Sequence, residues 1–168
     1  MDQERHGEAF EGDIKLTVIG KRLTAGEPAP AFSLDALDPG DAIPHPVSLA
    51  DGAGRVRLLH VVNSLDTPVC HLGAHRFEQI AATLPPNVDV YTVSMDLPFA
   101  QLRWRTTEGV SHGALSGHRS EDFGRAYGVL LREWLGSLNE LGELSVVLTD
   151  GHDLAIYADG SGTNGLYV

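Results

Sequence analysis

Short apolar segments alternate with a helical segment in the middle of the chain. Residues 55–62 and 88–94 are mostly apolar runs of strand length, typical of buried strands. Between them, residues 72–80 carry apolar side chains at a spacing that suits an amphipathic helix, and Pro85 ends it. Strands that alternate with helices predict an α/β fold in which helices cover both faces of a mixed sheet.

Segments on both sides extend this alternation. Asp13–Ile19 alternates polar and apolar residues, which indicates a half-exposed strand that is compatible with a hairpin. Further elements are a strand at 47–49, helices over 98–107 and 121–127, and strands over 146–148 and 154–157. Asp96 precedes the helix that begins at Pro98 and is expected to cap it.

Length and charge exclude several classes of protein. The chain has 168 residues, which suits one domain. Residues 1–12 are expected to form a flexible segment before a single domain over 13–168. The formal net charge of −11 argues against binding to nucleic acid or to an anionic membrane surface. No apolar run approaches the roughly 20 residues of a spanning helix, and no secretory signal is visible, so a cytoplasmic location is expected.

Cys70 is the only cysteine, which excludes an internal disulfide, a Cys-x-x-Cys pair and a cysteine-only zinc site. A single cysteine is most often a small buried hydrophobe. This one, however, lies in residues 63–70, where a buried strand leads through a short loop into a helix. Such junctions lie at the carboxyl edge of an α/β sheet, where ligands bind.

The residues around Cys70 favour a nucleophile over a core residue. A cysteine in the first turn of a helix meets the positive end of the helix dipole and free backbone N–H groups, which stabilise a thiolate. Thr67 lies three residues earlier, so its side chain shares a face with Cys70. Its hydroxyl group is able to donate to the thiolate or to hold an oxygen atom of the molecule that sulfur attacks.

Several separated motifs resemble one family in the same order along the chain. Residues 66–70, Asp-Thr-Pro-Val-Cys, resemble the element around the peroxidatic cysteine of bacterial thiol peroxidases, which belong to the peroxiredoxins. The likeness continues in Gly26–Leu34, in Ser94–Gln101 with its Asp-Leu-Pro-Phe-Ala-Gln stretch, and in His118-Arg119, Phe123 and Ala126–Gly128. The resemblance spans roughly residues 14–158.

The resemblance implies a thioredoxin-like fold of the peroxiredoxin type, with an N-terminal β-hairpin, and a homodimer. It implies reduction of hydrogen peroxide or organic hydroperoxides, with regeneration by thioredoxin or another thiol. Cys70 would attack the peroxide, Thr67 would orient the sulfur and the substrate, and Arg119 matches an arginine near the site of the family. No metal ion or organic cofactor is expected, because sulfur supplies the redox chemistry.

Three departures from the family pattern bear on activity. Arg105, directly after Trp104, occupies the place of the resolving cysteine, so turnover must be of the single-cysteine type. Asn63 replaces a proline at the start of the active-site loop, and Leu144 replaces the catalytic arginine. These changes leave open an alternative, a weakened member of the family that acts as a redox sensor or a partner-binding protein.

Two histidines beside Cys70 raise a third possibility. His71 and His75 are four residues apart and share one face of a helix, a common arrangement for metal ligands. A metal-binding protein that uses Cys70 with both histidines is therefore a further alternative. It is the less favoured interpretation, because Cys70 lies about 100° around the helix from His71.

Overall fold

The computed structural model describes residues 2–11, 13–132, 144–149 and 153–158. The strands are β1 (Glu4–Glu11), β2 (Ile14–Ile19), β3 (Ser33–Ala36), β4 (His45–Ser48), β5 (Val56–Val61), β6 (Val88–Ser94), β7 (Gly113–Ser116), β8 (Leu130–Leu131), β9 (Leu144–Thr149) and β10 (Asp153–Ala158). The helices are α1 (Pro68–Ala81), α2 (Pro98–Glu108) and α3 (Asp122–Ala126), and a 3₁₀ turn covers Leu49–Gly52. Strands and helices alternate through the centre of the chain, as the sequence predicts.

The central sheet is mixed and has the order β10-β9-β5-β6-β7-β3-β4 among the described strands. β5, β6 and β7 are parallel, and α1 and α2 are the connections between them. β9 runs antiparallel to β5, with Leu144 opposite Val61. The carboxyl ends of β5 and β6 therefore lie side by side, directly before α1 and before the segment that leads to α2.

Helices pack against both faces of this sheet. Leu58 and Leu59 are consecutive residues of β5, so their side chains point to opposite faces. Leu58 packs with Phe77 of α1. Leu59 belongs to the largest cluster of buried side chains, which includes Phe123 of α3. The predicted arrangement, a mixed sheet between helices, is confirmed.

A second, smaller sheet lies at the amino-terminal end of the chain. Residues 1–12 are expected from the sequence to be flexible, whereas Glu4–Glu11 form β1, which pairs antiparallel with β2. β2 continues the sheet to β8. β1 carries few apolar residues, so its order comes from backbone pairing and from the burial of Ala9 against Leu16 and Leu131. The predicted N-terminal hairpin is present, and Glu4–Glu11 are its first strand.

α1 is longer than the sequence pattern indicates. An amphipathic spacing is visible only from residue 72, but the helix begins at Pro68. Proline suits the first position of a helix, because the N–H that it lacks has no helical partner there. The additional turn places Cys70 inside the helix. Among the described residues, no helix is long and apolar enough to cross a membrane.

Candidate active site

The site lies where β5 ends and α1 begins. Thr67 is the N-cap residue of α1, with extended backbone angles (φ −84°, ψ 141°). Its carbonyl accepts a hydrogen bond from the His71 amide at 2.9 Å, which closes the first turn. Cys70 is the third residue of the helix. Its backbone amide has no helical carbonyl four residues earlier, and the positive end of the helix dipole lies here, as the sequence predicts.

The sulfur of Cys70 is enclosed by apolar side chains. The residue is 1% exposed and packs with Val62, Leu65, Ala74 and Trp104. These neighbours come from the segment between β5 and α1, from α1 itself and from α2, so two helices and the active-site loop together form the surroundings of Cys70. A polar partner is valuable in such surroundings, because an ionised group without one is costly to bury.

Thr67 provides that partner. Its Oγ1 lies 2.6 Å from Cys70 Sγ and 2.9 Å from the carbonyl oxygen of Ser64. A hydroxyl group has only one hydrogen to donate, so the two acceptors compete for it. When sulfur is a thiolate, the hydroxyl donates to sulfur, and the Ser64 carbonyl keeps the bond that it accepts from the Thr67 amide at 3.1 Å. Neither charge state of Cys70 leaves that carbonyl without a donor.

Asp96 holds the loop before α1 in place. It follows β6, and its carboxylate accepts hydrogen bonds from the Ser64 hydroxyl at 2.8 Å and from the Leu65 amide at 2.8 Å. The Ser94 hydroxyl donates to the same carboxylate at 2.9 Å. Since β5 and β6 are parallel neighbours, a carboxylate just past β6 reaches the loop that leaves β5.

From its position in the sequence we expected Asp96 to cap α2, but it does not. The N-cap of α2 is Leu97, which has no polar side-chain atom and makes no capping bond, while the carboxylate of Asp96 accepts a hydrogen bond from the active-site loop. The useful signal in the sequence was a Ser-x-Asp element that directly follows a buried strand adjacent to the one that leads to Cys70. Gln101, which is buried, extends the network from α2 by donating to the Ser94 hydroxyl at 2.9 Å and to the Leu115 carbonyl at 3.0 Å.

Arg119 lies in a different hydrogen-bonded pair. Its guanidinium donates to Asp35 of β3, and its side chain is 70% exposed. Of the predicted site residues, the structure brings Thr67 and Cys70 into direct contact, whereas Arg119 pairs with Asp35. Leu144 pairs with Val61 in the sheet. Val61 is the last residue of β5 and comes two residues before Asn63, so Leu144 lies at the same sheet edge as the active-site loop. Arg132, the nearest upstream arginine, pairs with Glu4.

Arg105 fills the place where the related family has its resolving cysteine. Its side chain is only 11% exposed, and it donates to the Ser111 carbonyl at 3.0 Å. Burial lowers the pKa of Arg105, while Asp38, with a carboxylate oxygen 3.9 Å away, opposes that shift. Arginine has no thiol, so this position cannot form a disulfide with Cys70.

A cleft opens beside the active-site loop, between the first turn of α1 and the last turns of α2. Its volume is about 280 Å³, and its lining includes Asp66, Pro68, His71, Arg103 and Trp104. Pro68 and His71 flank the helical turn that holds Cys70, so the cleft reaches the outer side of that turn. Arg103 contributes a cation to its wall.

His71 and His75 lie together as the sequence predicts, but not with Cys70. In the described part of the chain, their ring nitrogens group with a carboxylate oxygen of Glu108 on α2, all within 4.8 Å of one another. The combination of Cys70, His71 and His75 is therefore wrong as a ligand set. The reason is the angular one: Cys70 points inward to Thr67 while the histidines face α2.

Comparison with known proteins agrees with this geometry. A family model described as the AhpC/TSA family matches residues 25–150. The thiol peroxidase of Halalkalibacterium halodurans is 44% identical over 125 residues, 74% of this chain and 71% of that protein. The thiol peroxidase of Oceanobacillus iheyensis is 41% identical over 125 residues, 74% of this chain and 72% of that protein. A peroxiredoxin-like protein from Aquifex aeolicus superposes with a TM-score of 0.70 at 29% identity, over 86% of this chain and 81% of that one. These likenesses confirm the predicted thioredoxin-like fold.

Proposed function

Because this chain belongs to the AhpC/TSA family, we propose that its activity, the thiol-dependent reduction of peroxides, is carried out by Cys70 in a single-cysteine cycle. The observation that carries the proposal is the contact of 2.6 Å between Thr67 Oγ1 and Cys70 Sγ in the first turn of α1. A hydroxyl donor and a helix N-terminus at one sulfur both favour a thiolate, which is the nucleophilic form of cysteine. The same two features are of little use to a cysteine that only fills the core.

The first half-reaction oxidises sulfur by two electrons. The Cys70 thiolate attacks one oxygen of the peroxide, so that an S–O bond forms as the O–O bond breaks. The other oxygen leaves with a proton as water or as an alcohol, and Cys70 becomes a sulfenic acid. Thr67 orients the thiolate before attack, and its hydroxyl is also placed to donate to the oxygen that sulfur acquires.

The second half-reaction needs thiols from outside the chain, because Cys70 is the only cysteine. An external thiol attacks the sulfenic sulfur, which forms a mixed disulfide and releases water. A second external thiol then releases Cys70 as a thiolate. A dithiol protein such as thioredoxin supplies both groups in one molecule, and we propose a reductant of that class.

Access to sulfur is part of this cycle. Cys70 is buried, with Leu65 and Trp104 among its neighbours. A small peroxide is able to enter through the cleft beside Pro68 and His71, but a protein thiol must come within bonding distance of sulfur. The first turn of α1 therefore has to open before the reductant acts.

Arg119 and a homodimer complete the proposal. Arg119 stays in the proposal because it matches an arginine near the site of the family, although its guanidinium pairs with Asp35 on the central sheet, which neutralises most of its charge. Exposed apolar side chains at the beginnings of α1 and α2, Val69, Leu72, Leu97 and Phe99, support a second copy of the chain as a partner. Sedimentation of the full chain tests the dimer, and a monomer at micromolar concentration contradicts it.

A second candidate function rests on one position. Leu144 takes the place of an arginine at the sheet edge that holds the active-site loop. A charge-assisted hydrogen bond contributes roughly 1.5–3 kcal/mol, so its loss from the transition state slows the reaction by roughly 10- to 150-fold. A chain with such a rate would act as a peroxide sensor more readily than as a scavenger.

Stopped-flow oxidation of the reduced protein by hydrogen peroxide separates these functions. The peroxidase predicts a rate constant far above that of a free thiol at the same pH, and one trapped sulfenic acid by intact mass. Cys70→Ser is the matched control and is expected to trap none. A rate constant only modestly above that of a free thiol would favour the sensor, and one equal to it would contradict both functions, because a sensor must also react with peroxide faster than a free thiol does.

A further inference from the structure

We propose that His71, His75 and Glu108 form a binding site for a divalent transition metal ion of the Zn²⁺ type. The three side chains belong to two helices, and two of them, His71 and Glu108, also line the cleft beside the active-site loop. Their ligand atoms are two imidazole nitrogens and one carboxylate oxygen, the donors that zinc takes in three-ligand sites with an open fourth position. The site is independent of the peroxidase chemistry, because it includes neither Cys70 nor Thr67.

The distances between the ligand atoms suit such an ion. The Nε2 atoms of His75 and His71 lie 3.3 Å and 3.7 Å from Glu108 Oε2. Bonds of 2.0–2.2 Å at tetrahedral angles place neighbouring ligand atoms about 3.3–3.6 Å apart. A small side-chain adjustment therefore closes the three atoms around one ion.

The two imidazole rings are already held in position. They lie one helical turn apart on α1, with ring centroids separated by 4.7 Å. The indole of Trp104 packs against both, at centroid distances of 5.4 Å for His71 and 5.7 Å for His75. Trp104 is itself buried. Less side-chain freedom remains to be lost on binding, which favours the ion.

Exposure and charge also fit a captured ion. The side chains of His71, His75 and Glu108 are 37%, 34% and 31% exposed, so an ion reaches them and keeps solvent at its fourth position. The chain carries a net charge of −11, which attracts cations. The two imidazole nitrogens favour a transition metal ion over Mg²⁺ or Ca²⁺, because those two ions bind oxygen ligands.

A second group of potential ligands provides an internal control. The ligand atoms of Asp38, Asp41 and His45 also lie within 4.8 Å of one another, but both carboxylates are exposed and the His45 ring faces these two carboxylates. Cys70 is the other competitor for zinc, because a thiolate is a strong ligand. A test must distinguish all three.

The experiment is a titration of the metal-free, reduced full chain with zinc chloride, in competition with a chromogenic chelator. We expect one equivalent of Zn²⁺ to bind. Affinity should fall at least tenfold in Glu108→Gln and in His75→Ala, and should remain within about twofold in Cys70→Ser and in His45→Ala. Circular dichroism spectra and melting temperatures of all variants establish that each remains folded.

Cobalt chloride gives a second reading that does not depend on affinity. Co²⁺ at His71, His75 and Glu108 should show visible ligand-field bands without the near-ultraviolet charge-transfer band of a cobalt–thiolate bond. The proposal is wrong if the wild-type chain binds no zinc in competition with the chelator. It is equally wrong if Glu108→Gln binds as tightly as the wild type, or if Cys70→Ser or His45→Ala removes the binding.

Discussion

At the scale of single residues, the contact between Thr67 and Cys70 is the one on which the proposed reaction rests. Thr67→Val removes the hydroxyl but keeps the shape and branching of the side chain. The thiolate then loses a charge-assisted hydrogen bond of roughly 1.5–3 kcal/mol, so we expect oxidation by hydrogen peroxide to slow by roughly 10- to 150-fold. Stopped-flow measurement of the second-order rate constant tests this expectation.

Thr67→Ser is the matched control, because it keeps the hydroxyl. We expect its rate constant to stay within a few-fold of the wild type. Equal rate constants for Thr67→Val and the wild type would mean that the hydroxyl does not act on sulfur.

Asp96 does not pair with Cys70 in the contacts described above, but its carboxylate holds the active-site loop through Ser64 and Leu65. Asp96→Asn replaces an oxygen acceptor by an amide that donates, opposite the Ser64 hydroxyl and the Leu65 amide. We expect the active-site loop to loosen and the free energy of unfolding to fall by about 1–3 kcal/mol. The rate constant for peroxide should fall as well. Urea unfolding and stopped-flow oxidation provide the two measurements.

The exposed carboxylate of Asp122 gives a comparison of equal chemistry. Asp122→Asn is expected to change neither measurement appreciably, since this side chain lies on the surface of α3. An Asp96→Asn variant that behaves like Asp122→Asn would contradict a role in holding the loop.

The sequence predicted that Thr67 and Cys70 lie together, but not that Asp96 holds the loop before them. The spacing of Thr67 and Cys70, just after a buried strand, was enough to place both in one helical turn. Asp96 was assigned to the wrong partner, because capping is a local pattern whereas its true partners lie 31 and 32 residues earlier in the chain. Contacts between neighbouring strand ends depend on sheet order, which a single sequence does not reveal.

At the scale of elements, Glu78 links α1 to the loop that follows α2. It accepts hydrogen bonds from the Ser111 hydroxyl, from the His112 amide at 3.0 Å and from the His112 ring at 2.7 Å. Burial raises the pKa of Glu78, but the bonds from Ser111 and His112 outweigh burial and lower the pKa to about 2. Burial lowers the pKa of His112 despite the bond to Glu78, so the neutral ring donates to the carboxylate and accepts from Thr92 at 2.9 Å.

Both shifts make the protein less stable in acid. A pKa that is lower in the folded state means that the unfolded chain binds more protons, so stability falls as the pH falls. For His112 the loss begins below its ordinary pKa of 6.5, and for Glu78 it runs from its ordinary pKa of 4.5 down to about 2. We expect the melting temperature to decrease through both windows.

Glu78→Gln removes the contribution of the carboxylate. We expect this variant to lose about 1 kcal/mol of stability at pH 7 and to show a flatter decline of the melting temperature below pH 4.5. Glu121→Gln, on the surface-exposed pair with Arg125, should follow the wild-type curve. Parallel curves for Glu78→Gln and the wild type would contradict the assignment of the acid window to Glu78.

Elements were predictable where burial left a pattern. The buried strands β5 and β6 and the helix α2 follow from apolar runs and proline positions. β1, β3 and β7 gave no such pattern. β1 is polar, and the other two span only Ser33–Ala36 and Gly113–Ser116, where the partner strands determine the pairing.

At the scale of the whole molecule, one cysteine determines how oxidation ends. Without an external thiol, the sulfenic acid of Cys70 has no second cysteine in the chain to condense with. We expect intact mass spectrometry to show the gain of one oxygen atom at equimolar peroxide and of two at excess peroxide, as sulfinic acid forms. Cys70→Ser should gain neither. A disulfide-linked pair of chains as the main product would contradict this course.

Because Cys70 is buried, its rate of chemical labelling measures how often the structure opens locally around it. A bulky maleimide reacts only with an accessible sulfhydryl, and this chain offers a single one, enclosed by α1, α2 and the end of β5. The labelling rate relative to that of a small free thiol therefore reports how often the first turn of α1 unwinds. An ion that bridges α1 and α2 should slow this opening, and the labelling rate of Cys70 would show that effect without any measurement of peroxide turnover.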